Sequence, residues 1–339
     1  MTTRLASAVG TPRPGTRARA WFEVSVPALA PALALALALG CPAVSRAAEG
    51  GMGHYLPGGT ATLIDLAPTK PGWVIEPMVL HYEGNASASK AIPIAGTLAA
   101  GLEAQSDAVL LGGLYTFATE VLGAHYSAGV YLPYVSLNVE AQVDTALGNV
   151  RRRDSASGVG DLLLIPAMLA WKSGFWQTHV LLPVYVPTGD YEKGRLANPG
   201  LNYWTFDPAF GASYNNDKIG FNAALYVGAA FNTENPDTDY QSGTTLHLDG
   251  SIQQLLPAGP GFLGIGAEAF CLEQVSADSG RGARLGDFMG RTAGVGPVLS
   301  YILPRGKETL VAELRWLPEL DVKNRLEGDY IWLKFVYQF

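Results

Sequence analysis

Few residues in this chain have the type and spacing to do chemistry. The histidines are His54, His81, His125, His179 and His247, and none shows the His-x-x-x-His spacing that puts two imidazoles on one helix face for a metal. Glu234, Asp237 and Asp239 place carboxylates at near-alternating positions, a pattern that can serve a divalent cation. With Asn235-Pro236 inside it, such a run is more often a solvated turn. Glu313 and Arg315 lie two apart and so share one face of an extended strand. Glu76, Asp207, Asp249, Glu268 and Lys334 are further charges within stretches that read as strand. No metal site and no cofactor is expected from this set.

Composition narrows the classes. The chain has 339 residues, 48% hydrophobic and 16% charged, against a usual charged share of about 25%. That balance excludes a disordered chain. Two cysteines exclude a disulfide-stapled miniature and a Cys-rich metal site. A net charge of −7 argues against nucleic acid as a partner. Residues 1–48 read as a secretory signal peptide. Arg4, Arg13, Arg17 and Arg19 form the basic start, Val24 to Leu39 the apolar stretch, and Ser45-Arg46-Ala47 a small-x-small cleavage site. Its removal leaves 18 basic and 29 acidic residues.

The elements that must position the charges are strands. From Ile219 to Phe231, Ile219, Phe221, Ala223, Leu225, Val227, Ala229 and Phe231 fall on one face. Gly220, Asn222, Ala224, Tyr226, Gly228 and Ala230 fall on the other. Period-two alternation this long predicts a transmembrane β-strand, with Leu225 and Val227 toward lipid and Asn222 and Tyr226 toward a lumen. The C-terminus repeats the pattern. Phe335, Tyr337 and Phe339 alternate up to the last residue, which resembles the terminal strand of bacterial outer-membrane proteins, the signal read by the barrel assembly machinery.

Twelve such strands are expected, near 72–82, 107–120, 124–141, 158–171, 175–187, 201–214, 218–232, 242–256, 261–275, 289–303, 308–319 and 328–339. Tight turns at Gly123, Lys172-Ser173-Gly174, Asn215-Asn216-Asp217, Pro257 to Pro260 and Pro304 to Lys307 alternate with long links at 83–106, 142–157, 188–200, 233–241, 276–288 and 320–327. This is an all-β, antiparallel transmembrane barrel over 72–339, with short periplasmic turns and long extracellular loops, surrounded by outer-membrane lipid. Residues 49–71 are Gly-rich and carry no strand pattern. They enter the lumen as a plug, with His54 and Tyr55 as wall contacts, or remain a periplasmic tail.

Several motifs point to one family. They are Glu49-Gly50-Gly51-Met52-Gly53-His54-Tyr55-Leu56-Pro57-Gly58, Gly158-Val159-Gly160-Asp161-Leu162, Val186-Pro187-Thr188-Gly189-Asp190-Tyr191 and Asn198-Pro199-Gly200-Leu201-Asn202-Tyr203-Trp204-Thr205-Phe206-Asp207-Pro208. Phe231-Asn232-Thr233-Glu234-Asn235-Pro236-Asp237-Thr238-Asp239-Tyr240-Gln241-Ser242-Gly243, Gly296-Pro297 and Asn324-Arg325-Leu326-Glu327-Gly328 complete the set. Over nearly all of the mature chain it closely resembles the phenol meta-pathway degradation protein family. The resemblance implies an outer-membrane channel associated with uptake of aromatic or other hydrophobic compounds.

With the apolar positions toward lipid, the lumen collects Glu76, His179, Asp207, His247, Asp249, Glu268, Glu313, Arg315 and Lys334. Arg or Lys at the lipid midplane costs roughly 2–4 kcal/mol, so charges turn inward. There they form either a charged constriction that selects solutes or an ion-pair network that fills a narrow barrel. The leading expectation is passive passage of a small hydrophobic solute, without catalysis. A plugged structural or adhesive barrel is the alternative. A lipid hydrolase is the third, and would need a Ser/His pair on the lipid face, whereas the phase turns His179 and His247 inward.

Overall fold

The computed structural model describes residues 52–87, 91–145, 148–284 and 289–339. The signal peptide and its cleavage position lie outside the described residues. The strands are β1 (Gly72–Asn85), β2 (Ala91–Ile94), β3 (Thr97–Val121), β4 (Ala124–Thr145), β5 (Gly148–Val159), β6 (Leu162–Ser173), β7 (Trp176–Leu181), β8 (Val184–Val186), β9 (Thr205–Phe206), β10 (Ala209–Asn216), β11 (Phe221–Asn232), β12 (Thr245–Ala258), β13 (Gly261–Gln274), β14 (Arg291–Arg305), β15 (Glu308–Lys323) and β16 (Glu327–Gln338). They make a closed, 12-stranded antiparallel barrel. β5 with β6, β7 with β8 and β9 with β10 each form one pass, and β2 is a short addition beside β3. Closure comes from β16 on β1 in the register Met78↔Lys334. Trp73 and Phe339 exchange both backbone hydrogen bonds at 3.0 Å.

Alternation sets the faces. Leu225 and Val227 are 43% and 41% exposed on the outside, while Asn222 and Tyr226 are 1% and 4% exposed within. Phe335 and Phe339 stand on the outer face of the closing strand. The turns on one end are tight. Leu122 and Gly123 carry φ of 54° and 71°, the paired left-handed conformations that match a two-residue hairpin to strand twist.

Three of the expected long links are largely strand instead. The links 83–106, 142–157 and 320–327 continue β1, β3, β4, β5, β15 and β16 upward, with Glu140 opposite Arg153 and Asn85 opposite Glu103. Their outer faces are polar because they stand above the lipid, so apolar alternation stops while hydrogen-bonded pairing continues. The fifth and sixth passes are each split. Pro183 separates β7 from β8 and Pro208 separates β9 from β10, and the register sets Pro183 opposite Asp207, next to Pro208. Proline has no N–H for the ladder.

Candidate functional site in the barrel lumen

One side of the lumen, formed by β12 to β16, is polar and charged. Arg315 on β15 is fully buried, with Nε 2.6 Å from Glu313 and Nη1 3.2 Å from Glu268. Gln253 on β12 donates to the second Glu313 oxygen at 3.1 Å and accepts from Ser300 at 2.9 Å. Lys334 on β16 stands beside Glu313 in the β-ladder. His247 lies 2.8 Å from Asp207. Fully buried charges persist only when paired and hydrogen-bonded, and each cation here has carboxylate partners.

Residues 52–71 run through the lumen and complete that network. Arg315 donates to Gly58 O, to Thr60 O at 3.2 Å, and to Thr62 Oγ1 and Asp65 Oδ2 at 2.5 Å each. Lys334 donates to Gly59 O at 2.5 Å and Asp65 Oδ1 at 2.8 Å. Trp332 Nε1 donates to Pro57 O at 2.9 Å, and Ser251 donates to Ala61 O at 2.5 Å. Tyr55 donates to Asp249 and stacks on His247 with centroids 3.5 Å apart. His54 sits between Thr205 at 2.7 Å and Asp161 at 2.9 Å, stacked on Tyr185. Gly58 has φ +77°, and a Cβ there would lie 2.4 Å from Leu317, so only glycine brings the segment this close to the wall.

The opposite side is apolar. Between the segment and strands β1, β3, β4, β6, β7, β10 and β11 lies a cavity of about 120 Å³, lined by Val74, Leu114, Ile165, Met168 and Leu181, among others. Polar residues of the barrel wall face it as well, Glu76, Tyr131, His179, Ser213 and Tyr226 among them. Glu76 accepts from Tyr131 across the strands, and His179 on β7 is 9% exposed beside Leu181. Asp65 lines the same cavity from the segment side.

Above, the outer mouth is covered by the loops. Gly194 N donates to Ala95 O at 2.9 Å, and Asp154 accepts from Arg195, Leu196 and Ala197. Asn202 donates to Asn235 at 2.9 Å and Asp237 at 3.1 Å. Asp239 pairs with Arg281, and Gln241 and Ser279 exchange backbone bonds at 2.9 Å. Two of the three acidic residues of 234–239 are thus engaged with neighbouring loops, and among the described residues no group of three or more His, Cys, Asp or Glu is arranged to hold a metal ion. Under the cover, Ile92, Leu102, Leu196, Leu317 and Trp332 form an apolar core.

Of the nine charged or histidine residues expected in the lumen, eight are buried and Glu76 lines the inner cavity, and Arg315 gathers Glu313 and Glu268 directly. Sequence reasoning missed Asp65, Thr62, Tyr131 and Asp161. Asp65 carried one available signal, as the lone acidic residue of residues 52–71. His81 faces outward and lies 2.7 Å from Asp107, and its other cross-strand neighbour is Ile331.

A closed barrel with an apolar outer belt and a polar, occupied lumen defines a bacterial outer-membrane protein that crosses the membrane many times. The chain belongs to the family described as "Putative MetA-pathway of phenol degradation", whose model matches residues 85–335. The crystal structure of the COG4313 outer membrane channel from Pseudomonas putida F1 is similar at 18% identity and TM-score 0.61, over 84% of this chain and 100% of that one. The beta domain of the Bordetella autotransporter BrkA matches at 11% identity and TM-score 0.45, over 80% and 100% of the two chains. No curated protein matches the sequence.

Proposed function

We propose that the protein is an outer-membrane channel for passive uptake of small hydrophobic or aromatic compounds, with residues 52–71 as its plug. The observation that carries this reading is the apolar cavity between the plug and the wall of β1, β3, β4, β6, β7, β10 and β11. A lumen meant for hydrated ions has no use for a face of Leu, Ile and Met. A cavity of about 150 Å³ lined by such side chains stays dry and takes benzene. The bound solute gains about 25 cal/mol for each Å² of apolar surface removed from water. The protein's part is binding and release, with no covalent step. The histidines supply positioning: His54 pins the start of the segment, and His247 stacks on Tyr55. The outward aromatic positions Phe335, Tyr337 and Phe339 are proposed as the mark read by the barrel assembly machinery.

The test is uptake of a radiolabelled neutral aromatic into vesicles holding the full chain, beside a chain lacking residues 52–71. Uptake above empty vesicles, increased by the deletion, supports the channel with its plug. No uptake from either folded barrel leaves a sealed structural barrel as the reading.

A further inference from the structure

We propose that Arg315 and Lys334 form a carboxylate-binding site for apolar solutes, occupied at rest by the chain's own Asp65. The proposal rests on the channel reading above and names the solute that opens it. Asp65 puts one oxygen 2.5 Å from Arg315 Nη2 and the other 2.8 Å from Lys334 Nζ. Its partners sit on adjacent strands, with Lys334 opposite Glu313 in the ladder. A planar guanidinium beside an ammonium is the donor set that recognises a carboxylate. Arg315 keeps two wall partners of its own, Glu313 and Glu268. Asp65 is the one carboxylate on the pair that the barrel wall does not supply, so it is the one that can leave without unfolding a strand.

The position of this carboxylate matters as much as its partners. Asp65 lies at the border of the charged wall and borders the apolar cavity together with Leu66 and Ala67. A molecule with an aromatic ring and a carboxylate matches both surfaces at once. Its ring replaces Leu66 and Ala67 against Leu114, Ile165 and Met168, and its carboxylate takes the place of Asp65. The exchange conserves charge, because one carboxylate replaces another. A neutral aromatic that pushed Asp65 aside would strand Lys334 and weaken Arg315 in a buried site, which is strongly unfavourable. The same two cations also donate to Gly58 O, Thr60 O and Gly59 O. Reorienting them onto an incoming solute therefore loosens the plug along its whole middle section.

Benzoate and benzyl alcohol, matched in ring and size, test this on the full chain at constant ionic strength. Two readouts are used: single-channel conductance in planar bilayers and amide hydrogen exchange across residues 56–67. Benzoate is expected to raise both saturably, and benzyl alcohol to change neither. Asp65→Asn is expected to raise basal conductance about tenfold, the effect of about 1.4 kcal/mol on a closed–open equilibrium, and to abolish the benzoate response. Lys334→Gln, checked for folding by heat-dependent gel mobility, is expected to lose the response as well. Equal effects of the two compounds, or a full benzoate response in Asp65→Asn, overturn the proposal while leaving uptake of neutral aromatics intact. Benzoate-driven exchange without solute passage in the vesicle assay sustains the carboxylate site and overturns the channel.

Discussion

The two walls of the lumen are built from the same alternating strands and do opposite work. From β12 to β16 the inward positions carry His247, Asp249, Gln253, Glu268, Glu313, Arg315 and Lys334, and they hold residues 57–65 by hydrogen bonds. From β1 to β7 the inward positions carry Val74, Leu114, Ile165, Met168 and Leu181, and they leave a cavity beside the same residues. Hydrogen bonds to charged groups are directional and hold one geometry. Apolar contact is non-directional and tolerates exchange of one partner for another. The difference teaches that one wall of a barrel can fasten an inserted segment while the other leaves an apolar cavity beside it.

The sharpest way to break this comparison is Arg315→Met. It leaves Glu313, Glu268 and Asp65 buried around an apolar side chain, and removing one partner of a buried pair costs about 3–5 kcal/mol. The barrel should unfold at lower temperature by heat-dependent gel mobility, and exchange across residues 56–67 should rise. Unchanged melting and exchange would show that the charged wall does not hold the segment.

Leu225→Arg attacks the outer face instead. Leu225 is exposed toward lipid, and Arg near the midplane should cost roughly 2–4 kcal/mol. Destabilisation is expected without faster exchange in residues 56–67 of the folded fraction. A cysteine placed at 225 should react with a lipid-soluble reagent, and one at 222 should not. The reverse labelling would overturn the register.

On the apolar side, Tyr131→Phe removes the donor that Glu76 accepts from. An unsatisfied buried acceptor costs about 1–3 kcal/mol. The loss should appear as lower thermal stability, with the segment still protected because Tyr131 does not hydrogen-bond to it. Rapid exchange in the segment would erase the distinction between the walls.

The smallest effect lies in the cover. Burial pushes Asp278 up to about 6 from an ordinary 3.8, against the opposing pull of bonds from Tyr240, Gly243 and Gln274. The fold therefore favours its protonated form. The stability it contributes is full below pH 4 and is lost as pH rises through about 6. Amide exchange over residues 240–244, corrected for intrinsic rates, should be slower at pH 5 than at pH 7.5. Asp278→Asn should flatten that dependence.

How much of this the sequence carries differs by level. The alternation at 219–231 and the run Phe335, Tyr337, Phe339 assigned strands and faces, because the side-chain direction of a strand repeats every two residues whatever lies beside it. Inward charges were legible for the same reason, since lipid excludes them. The links at 83–106 and 142–157 were misread because strand pairing above the lipid needs no apolar face. Glu140 opposite Arg153 leaves no alternation to detect.

Local pattern determined the twelve passes, the lipid and lumen faces, and the tight turns, since each depends only on neighbouring residues. The tertiary structure alone decided who meets whom inside. Asp65 reaches Arg315 and Lys334 across some 250 residues of chain, and Glu268 reaches Arg315 past an intervening strand. Barrel closure, strand tilt and register set those distances together. No single segment contains them, so the division of the lumen into a fastening wall and an apolar wall exists only once the barrel is closed.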